Sequence, residues 1–238
     1  MTSSLLYRWP PLAHFGRVVP KTKFYEHGTI TKAVRDKFVA EVKRITWAYK
    51  LADSTIHLRG SDAVPEIQVF VIDAKRSEVS DRVLTAIDMA VQFPVIFEVR
   101  RNDDGTAGTR MVVNPKRLTG GQPRLTGFFT TDWIPPERER TPLPTALDLP
   151  ALYSALLGPM LPVESREGEL LTETALRVEE FRKLDRKIAT LESRLRTESQ
   201  FNRKVELRRQ LRECAAVLEA LSSSDRPDAG EAIRSQER

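Results

Sequence analysis

The sequence predicts an α+β globular domain of mixed α/β character with an antiparallel meander, followed by a C-terminal α-helical coiled-coil hairpin. Three observations carry that reading. A β-rich run, EIQVFVID (Glu66–Asp73), is followed by a helix-period segment and a second β-rich run. Gly-bearing turns then join three strand-like stretches between Phe93 and Trp133. From about Thr172 onward, apolar residues recur at three- and four-residue steps through two long segments. The expected organisation is a domain over 1–162 with an irregular basic N-terminal arm, a helical hairpin over 163–221 and a disordered tail over 222–238.

Residues 1–28 are punctuated by Pro10, Pro11, Gly16, Pro20 and Gly28, which predicts an irregular arm with at most short extended pieces. Tyr7, Trp9, Phe15, Phe24 and Tyr25 alternate there with Arg8, Arg17, Lys21 and Lys23. Such interleaving suits either a surface that stacks bases and holds phosphates or an arm pinned to the core by its aromatics.

Thr29 or Thr31 can cap a helix running to about Leu51, because Val34, Phe38, Val42, Ile45 and Tyr49 fall at helical steps. On that helix Lys43 and Trp47 would project away from the buried stripe, an outward contact point. Thr55–Arg59 and Glu66–Asp73 read as strands, and Ser80–Val91 as a crossover helix with Val83, Leu84, Ile87 and Val91 on one face. Phe93–Arg101, Thr109–Pro115 and Leu125–Trp133 follow as the meander, separated by the turns NDDG and TGGQP. Five prolines between 135 and 150 predict a strap whose Leu143, Leu147 and Leu149 need cover. A short helix over Ala151–Leu157 closes the domain.

In the C-terminal region Val178, Phe181, Leu184, Ile188, Leu191 and Leu195 form one stripe, and Leu207, Leu211, Cys214, Leu218 and Leu221 another. The break near Thr197–Asn202 favours a hairpin, with one continuous dimeric coiled coil as the alternative. Cys214, the single cysteine, falls on the second stripe, so it is expected as a buried thiol in a reducing compartment.

Charge is unevenly distributed. The net charge is +5, yet residues 1–60 carry 11 Lys/Arg against 4 Asp/Glu, and the remainder is close to neutral. From Arg194 to Arg212 there are seven basic residues against two acidic, giving the hairpin a cationic tip. Basic segments of this kind meet nucleic acid, phosphorylated ligands or acidic protein surfaces. The start of the sequence shows no leader-like apolar run and no stretch is long enough to span a bilayer, so a cytoplasmic protein without membrane contact is expected.

Catalytic signatures are weak. His14, His27 and His57 are widely spaced, no P-loop or GxSxG occurs, and no metal or cofactor is expected. One arrangement offers chemistry: Asp62, Glu66, Asp73 and Lys75, with Glu41 on the preceding helix. Nucleases that use Mg²⁺ place carboxylates near strand ends with a lysine to steady the attacking water. A divergent Mg²⁺-dependent nuclease is therefore the catalytic alternative, and a structural oligomerisation module, homo-oligomeric through the hairpin, is a third.

The chain resembles the bacterial family known as domain of unknown function 4391. The resemblance rests on WPPLAHFGRVVPKTKFYEH (Trp9–His27), ITWAYKL (Ile45–Leu51), VPEIQVF (Val64–Phe70), FPVIFE (Phe93–Glu98), ALDLPALY (Ala146–Tyr153) and QFNRKVEL (Gln200–Leu207). It implies context and no activity: relatives are often encoded near DNA methyltransferases and helicases of restriction-like or anti-phage systems. The expected role is thus a non-catalytic accessory or nucleic-acid-associated subunit. Its expected contacts are Arg17, Lys21, Lys23, His27, Lys43 and Trp47 on one side and Arg203, Lys204, Arg208 and Arg209 at the hairpin tip.

Overall fold

β-branched and aromatic residues dominate EIQVFVIDA, and a strand buried on both faces needs no polar alternation. In the computed structural model that segment is the central strand of a six-stranded sheet. The structure describes residues 5–26, 30–103, 106–115, 127–164, 166, 169 and 171–224. It divides into two compact units, Met1–Met160 and Leu161–Arg238.

The first unit runs β1 (Tyr7–Arg8), a 3-10 turn, β2 (His14–Val18), α1 (Lys21–Glu26), α2 (Lys32–Glu41), β3 (Val42–Leu51), α3 (Asp53–Ile56) and β4 (Ile67–Ala74). It continues with α4 (Asp81–Ala90), β5 (Val95–Asp103), β6 (Thr106–Val113), β7 (Phe129–Thr130), β8 (Thr141–Pro142) and α5 (Leu149–Leu157). The sheet order is β2-β3-β4-β5-β6-β7, antiparallel throughout except for the parallel β4/β5 pair. Helix α4 makes the crossover that a parallel neighbour requires, as its periodicity predicts. The antiparallel run β5-β6-β7 is the expected meander, although the TGGQP turn lies outside the described residues.

One sheet face is covered by helices: Phe24 of α1, Phe38 of α2 and Val83, Leu84 and Ile87 of α4 pack with Ile45, Phe70, Ile72, Phe97 and Val112. The other face presents Val71, Glu98 and Met111 in register. Trp9 and Arg140, from the arm and the proline-rich segment, reach Glu98 on that face. There β1 pairs in parallel with β8, so the two chain segments brace each other.

Four local expectations are corrected. The helix predicted to Leu51 stops at Glu41, and Val42–Leu51 is β3. Register shifts between Val42 and Arg44 and between Trp47 and Tyr49 break the strand's alternation. Its buried positions become Val42, Ile45, Ala48 and Leu51, a spacing of three that imitates a helix. Thr55–Arg59 is not a strand: α3 ends there at His57, whose φ of 55° turns the chain. The N-terminal arm is not irregular, since β2 is the edge strand of the sheet and α1 a helix on its face. Tyr7, Trp9 and Phe24 are buried, so these aromatics pin the arm to the core. In the proline-rich segment Leu149 is buried, whereas Leu147 is exposed and needs no cover.

The second unit contains α6 (Leu171–Thr197) and α7 (Phe201–Ser222), joined by three residues. Leu191 and Cys214 are buried, as the apolar stripes require. The start of α6 and the end of α7 are held together by Arg177, itself 5% exposed. Its guanidinium donates to both carboxylate oxygens of Glu169 at 2.8 and 2.6 Å, to the Leu221 carbonyl at 2.7 Å and to the Glu164 carbonyl at 2.5 Å. The Glu164 N–H in turn donates to the Ser222 carbonyl. No helix among the described residues is long and apolar enough to cross a membrane. Of the predicted tail, residues 225–238 lie outside the described residues.

Candidate functional site: a cationic cleft at the strand ends

Strands β4 and β5 run in parallel, so their C-terminal ends emerge on one edge of the sheet beside the N-terminal ends of β3 and β6. Each of the two parallel strands leads into cations: Lys75 directly after β4 and Arg100-Arg101 within the end of β5. Register places Arg44, Asp73, Arg100 and Thr109 in one rank across β3, β4, β5 and β6. Since paired strands lie about 4.8 Å apart, Arg44 and Arg100 flank Asp73 on its two sides.

These residues line an open cleft of ≈ 820 Å³. Among the described residues its charged lining is the cations Lys43, Arg44, Lys75, Arg100, Arg101 and Arg140 and one carboxylate, Asp73. Three of the cations are committed. Arg44 donates to Asp73 Oδ2 at 2.8 Å. Arg140 forms a two-pronged bond to Glu98, 2.7 Å to Oε1 and 2.9 Å to Oε2, and donates a further 2.7 Å bond to the Tyr7 carbonyl. The hydrogen bonds from Arg140 to Glu98 raise the Arg140 pKa above its ordinary value. Arg101 stacks on Trp133, its guanidinium carbon 4.3 Å from the ring centre.

The other three are available. Lys43 and Lys75 are exposed and pair with no carboxylate among the described residues, and Arg100, half exposed, reaches only the far side of Glu98 at 3.8 Å. Glu98, 1% exposed, is the anion on which this end of the site is built; besides Arg140 it accepts a 2.6 Å bond from Trp9 Nε1. A buried carboxylate held by a guanidinium fork and an indole fixes the rotamers beside it.

The residues named from the sequence are distributed as follows. Lys43 lines the cleft from the first β3 bulge. Trp47 lies on β3, not on a helix, half-buried between the tilted ring of Phe15 at 4.2 Å and the stacked ring of Phe70 at 6.1 Å. Lys21 donates to the Val42 carbonyl at 2.5 Å, and burial together with the nearby Lys75 charge lowers its pKa. Arg17 is exposed on edge strand β2 and Lys23 exposed on α1, while His27 lies outside the described residues.

On α7, Arg203 and Arg208 are exposed and Lys204 half-buried. Arg209 is engaged by Glu206 and Glu213, at 2.7 and 2.5 Å.

The catalytic constellation is not assembled. Glu66 precedes β4 and is held by Lys50 at 2.8 Å, whereas Asp73 closes the same strand. Seven steps of extended chain separate them by about 23 Å. Asp62 stands with Glu66 at the far end, and Glu41 is bound to Lys37 and to the Ser80 N–H. Among the described residues no group of three or more His, Cys, Asp or Glu could hold a metal ion. Asp73 and Lys75 thus belong to the cationic cleft and are separated from the other two acids.

Residues 8–218 match the model of the family described as Domain of unknown function (DUF4391). The chain belongs to that family. The matched span of this DUF4391 protein includes every described lining residue of the cleft, all of α6 and α7 as far as Leu218. No curated protein and no solved structure matches the chain.

Sequence reasoning missed Arg100, Arg140 and Glu98. A signal for Glu98 was present: it is the sole charge within VIFEV, at a position whose neighbours two residues away, Ile96 and Arg100, share its sheet face.

Proposed function

We propose that this DUF4391 protein is a non-catalytic, nucleic-acid-associated accessory subunit of a bacterial DNA-processing or anti-phage defence system. The observation that supports this reading most is the cleft: among the described residues six cations line it against one carboxylate, Lys43 and Lys75 pair with no carboxylate there, and Arg100 reaches Glu98 only at 3.8 Å. A concave surface lined by one sign of charge concentrates its counter-ion, and phosphate is the anion such surfaces meet on nucleic acid. In the second unit, α6 and α7 form an antiparallel coiled-coil hairpin whose tip presents Arg203 and Arg208 as a second contact for nucleic acid or for a partner such as a DNA methyltransferase or helicase. The protein acts in the cytoplasm.

The test is binding of labelled DNA and RNA, single- and double-stranded, followed by fluorescence anisotropy across a salt series. Salt-sensitive binding that falls on charge reversal of Lys75 and Arg100 is the expected result. Absence of binding to every nucleic acid would overturn the reading.

A further inference from the structure

We propose that the cleft takes a phosphomonoester, the terminal phosphate of a nucleic-acid strand or of a nucleotide, with Lys43, Lys75 and Arg100 as its ligands. The inference rests on the nucleic-acid reading above and specifies which group of the ligand the cleft reads.

Charge is the first argument. The Arg44–Asp73 and Arg140–Glu98 pairs neutralise themselves, and Arg101 is applied to the face of Trp133. Lys43 of β3, Lys75 just beyond β4 and Arg100 of β5 are then left lining one concavity, Arg100 touching Glu98 only at 3.8 Å. A phosphodiester offers a single negative charge per group, whereas a phosphomonoester carries about −1.5 to −2 at neutral pH and three strong acceptor oxygens. Three cations confined to one cleft match the monoester. A passing backbone would be matched by cations strung along a surface.

Shape is the second. A volume of ≈ 820 Å³ falls in the range of about 300–1,000 Å³ typical of sites that enclose a small ligand. It has room for the last nucleotide of a strand. A duplex, with a major groove alone about 12 Å wide, is recognised from outside such a cleft.

Rigidity is the third. Arg100 lies in the β5 ladder opposite Asp73 and Thr109, with Glu98 two residues before it locked by Arg140 and Trp9. The Lys75 N–H is bonded to the Glu41 carbonyl at 2.7 Å, which fixes the backbone just beyond β4. The cations therefore start from placed backbones, and less ordering is left for the ligand to impose. Asp73 sits between Arg44 and Arg100 in the rank, and its pairing with Arg44 is what makes the cleft tolerant of an anion.

The experiment measures the full chain binding one short single strand in three forms, with a 5′-phosphate, a 3′-phosphate or hydroxyl ends, with AMP and ATP as competitors. A phosphate-ended strand should bind about tenfold tighter than the hydroxyl-ended one, the worth of one added charge-assisted contact. Lys75→Ala and Arg100→Ala should each shrink that ratio toward one. Both positions are on the surface, and an unchanged thermal melt would certify the variants as folded. Displacement by AMP or ATP at matched concentration would identify the nucleotide as source and uphold the monoester chemistry. Equal affinity for phosphate and hydroxyl ends overturns this inference while leaving the nucleic-acid reading in place. Binding of AMP without binding of any strand overturns the nucleic-acid reading alone, and binding of none of the probes overturns both.

Discussion

Asp73 accepts a 2.8 Å hydrogen bond from Arg44 inside a cleft whose other charged lining residues, among those described, are all cationic. A lone carboxylate in such a place repels phosphate through whatever charge Arg44 leaves uncompensated, and it occupies a guanidinium that could bind the ligand. Asp73→Asn should therefore tighten binding of a phosphate-bearing strand several-fold, on the order of one unit charge acting at short range near a surface. Anisotropy against the same labelled strand measures it. Weaker binding by the variant would mean that Asp73 holds the ligand or a ligand-bound cation directly.

Arg140 and Glu98 make a different contribution. Glu98 is 1% exposed, and deleting Arg140 would leave it buried with only the Trp9 indole and a distant Arg100. Breaking such a pair costs about 3–5 kcal/mol. Arg140→Ala should lower the stability of the first unit by that amount in urea denaturation, whereas the double variant Arg140→Met with Glu98→Met should recover most of it.

In the second unit the prediction concerns acid. Burial pushes the Glu169 carboxyl up, but the hydrogen bonds and charge of Arg177 outweigh it and hold the pKa below the usual glutamate value. A group whose folded pKa is depressed stabilises fully above its unfolded pKa, about 4.3, and loses that contribution as pH falls through the lower folded value. The α6–α7 pair should melt at progressively lower temperature as pH drops below about 4.3. Arg177→Met should lower the melting temperature at neutral pH and flatten that part of the pH dependence. Circular dichroism of the full chain reads both.

At the helical tip the cations are unequal. Hydrogen bonds from Arg209 and Gln210 hold Glu206 down to about 2, so it stays ionised and keeps Arg209 engaged through the working range of pH. Arg208, exposed and with no carboxylate bonded to it among the described residues, is the better contact. Arg208→Ala should weaken nucleic-acid binding more than Arg209→Ala does. Equal losses would show that Arg209 exchanges its glutamates for phosphate.

What was legible in the sequence was periodicity within single elements: the β4 run, the crossover helix α4, the meander and the two long C-terminal helices. Val42–Leu51 was misread because two bulges give its buried residues a three-residue spacing, which period alone cannot separate from a helix. The cleft was legible only in fragments. Lys75 directly follows β4 and Arg100 follows the hydrophobic run that opens β5, and a crossover helix between those strands implies that their ends lie side by side. Arg140 reaches Glu98 from the proline-rich segment, and no local pattern links positions so far apart.

The central claim, that phosphate is held by Lys43, Lys75 and Arg100, is tested most directly by the salt dependence of single-strand binding in wild type and in the triple alanine variant. Each lost phosphate contact should reduce the slope of log affinity against log salt by about 0.7. The account predicts a weaker complex with a slope shallower by about 0.7, because the three cations share one terminal phosphate. Unchanged affinity and slope would contradict it and move the binding surface away from the cleft.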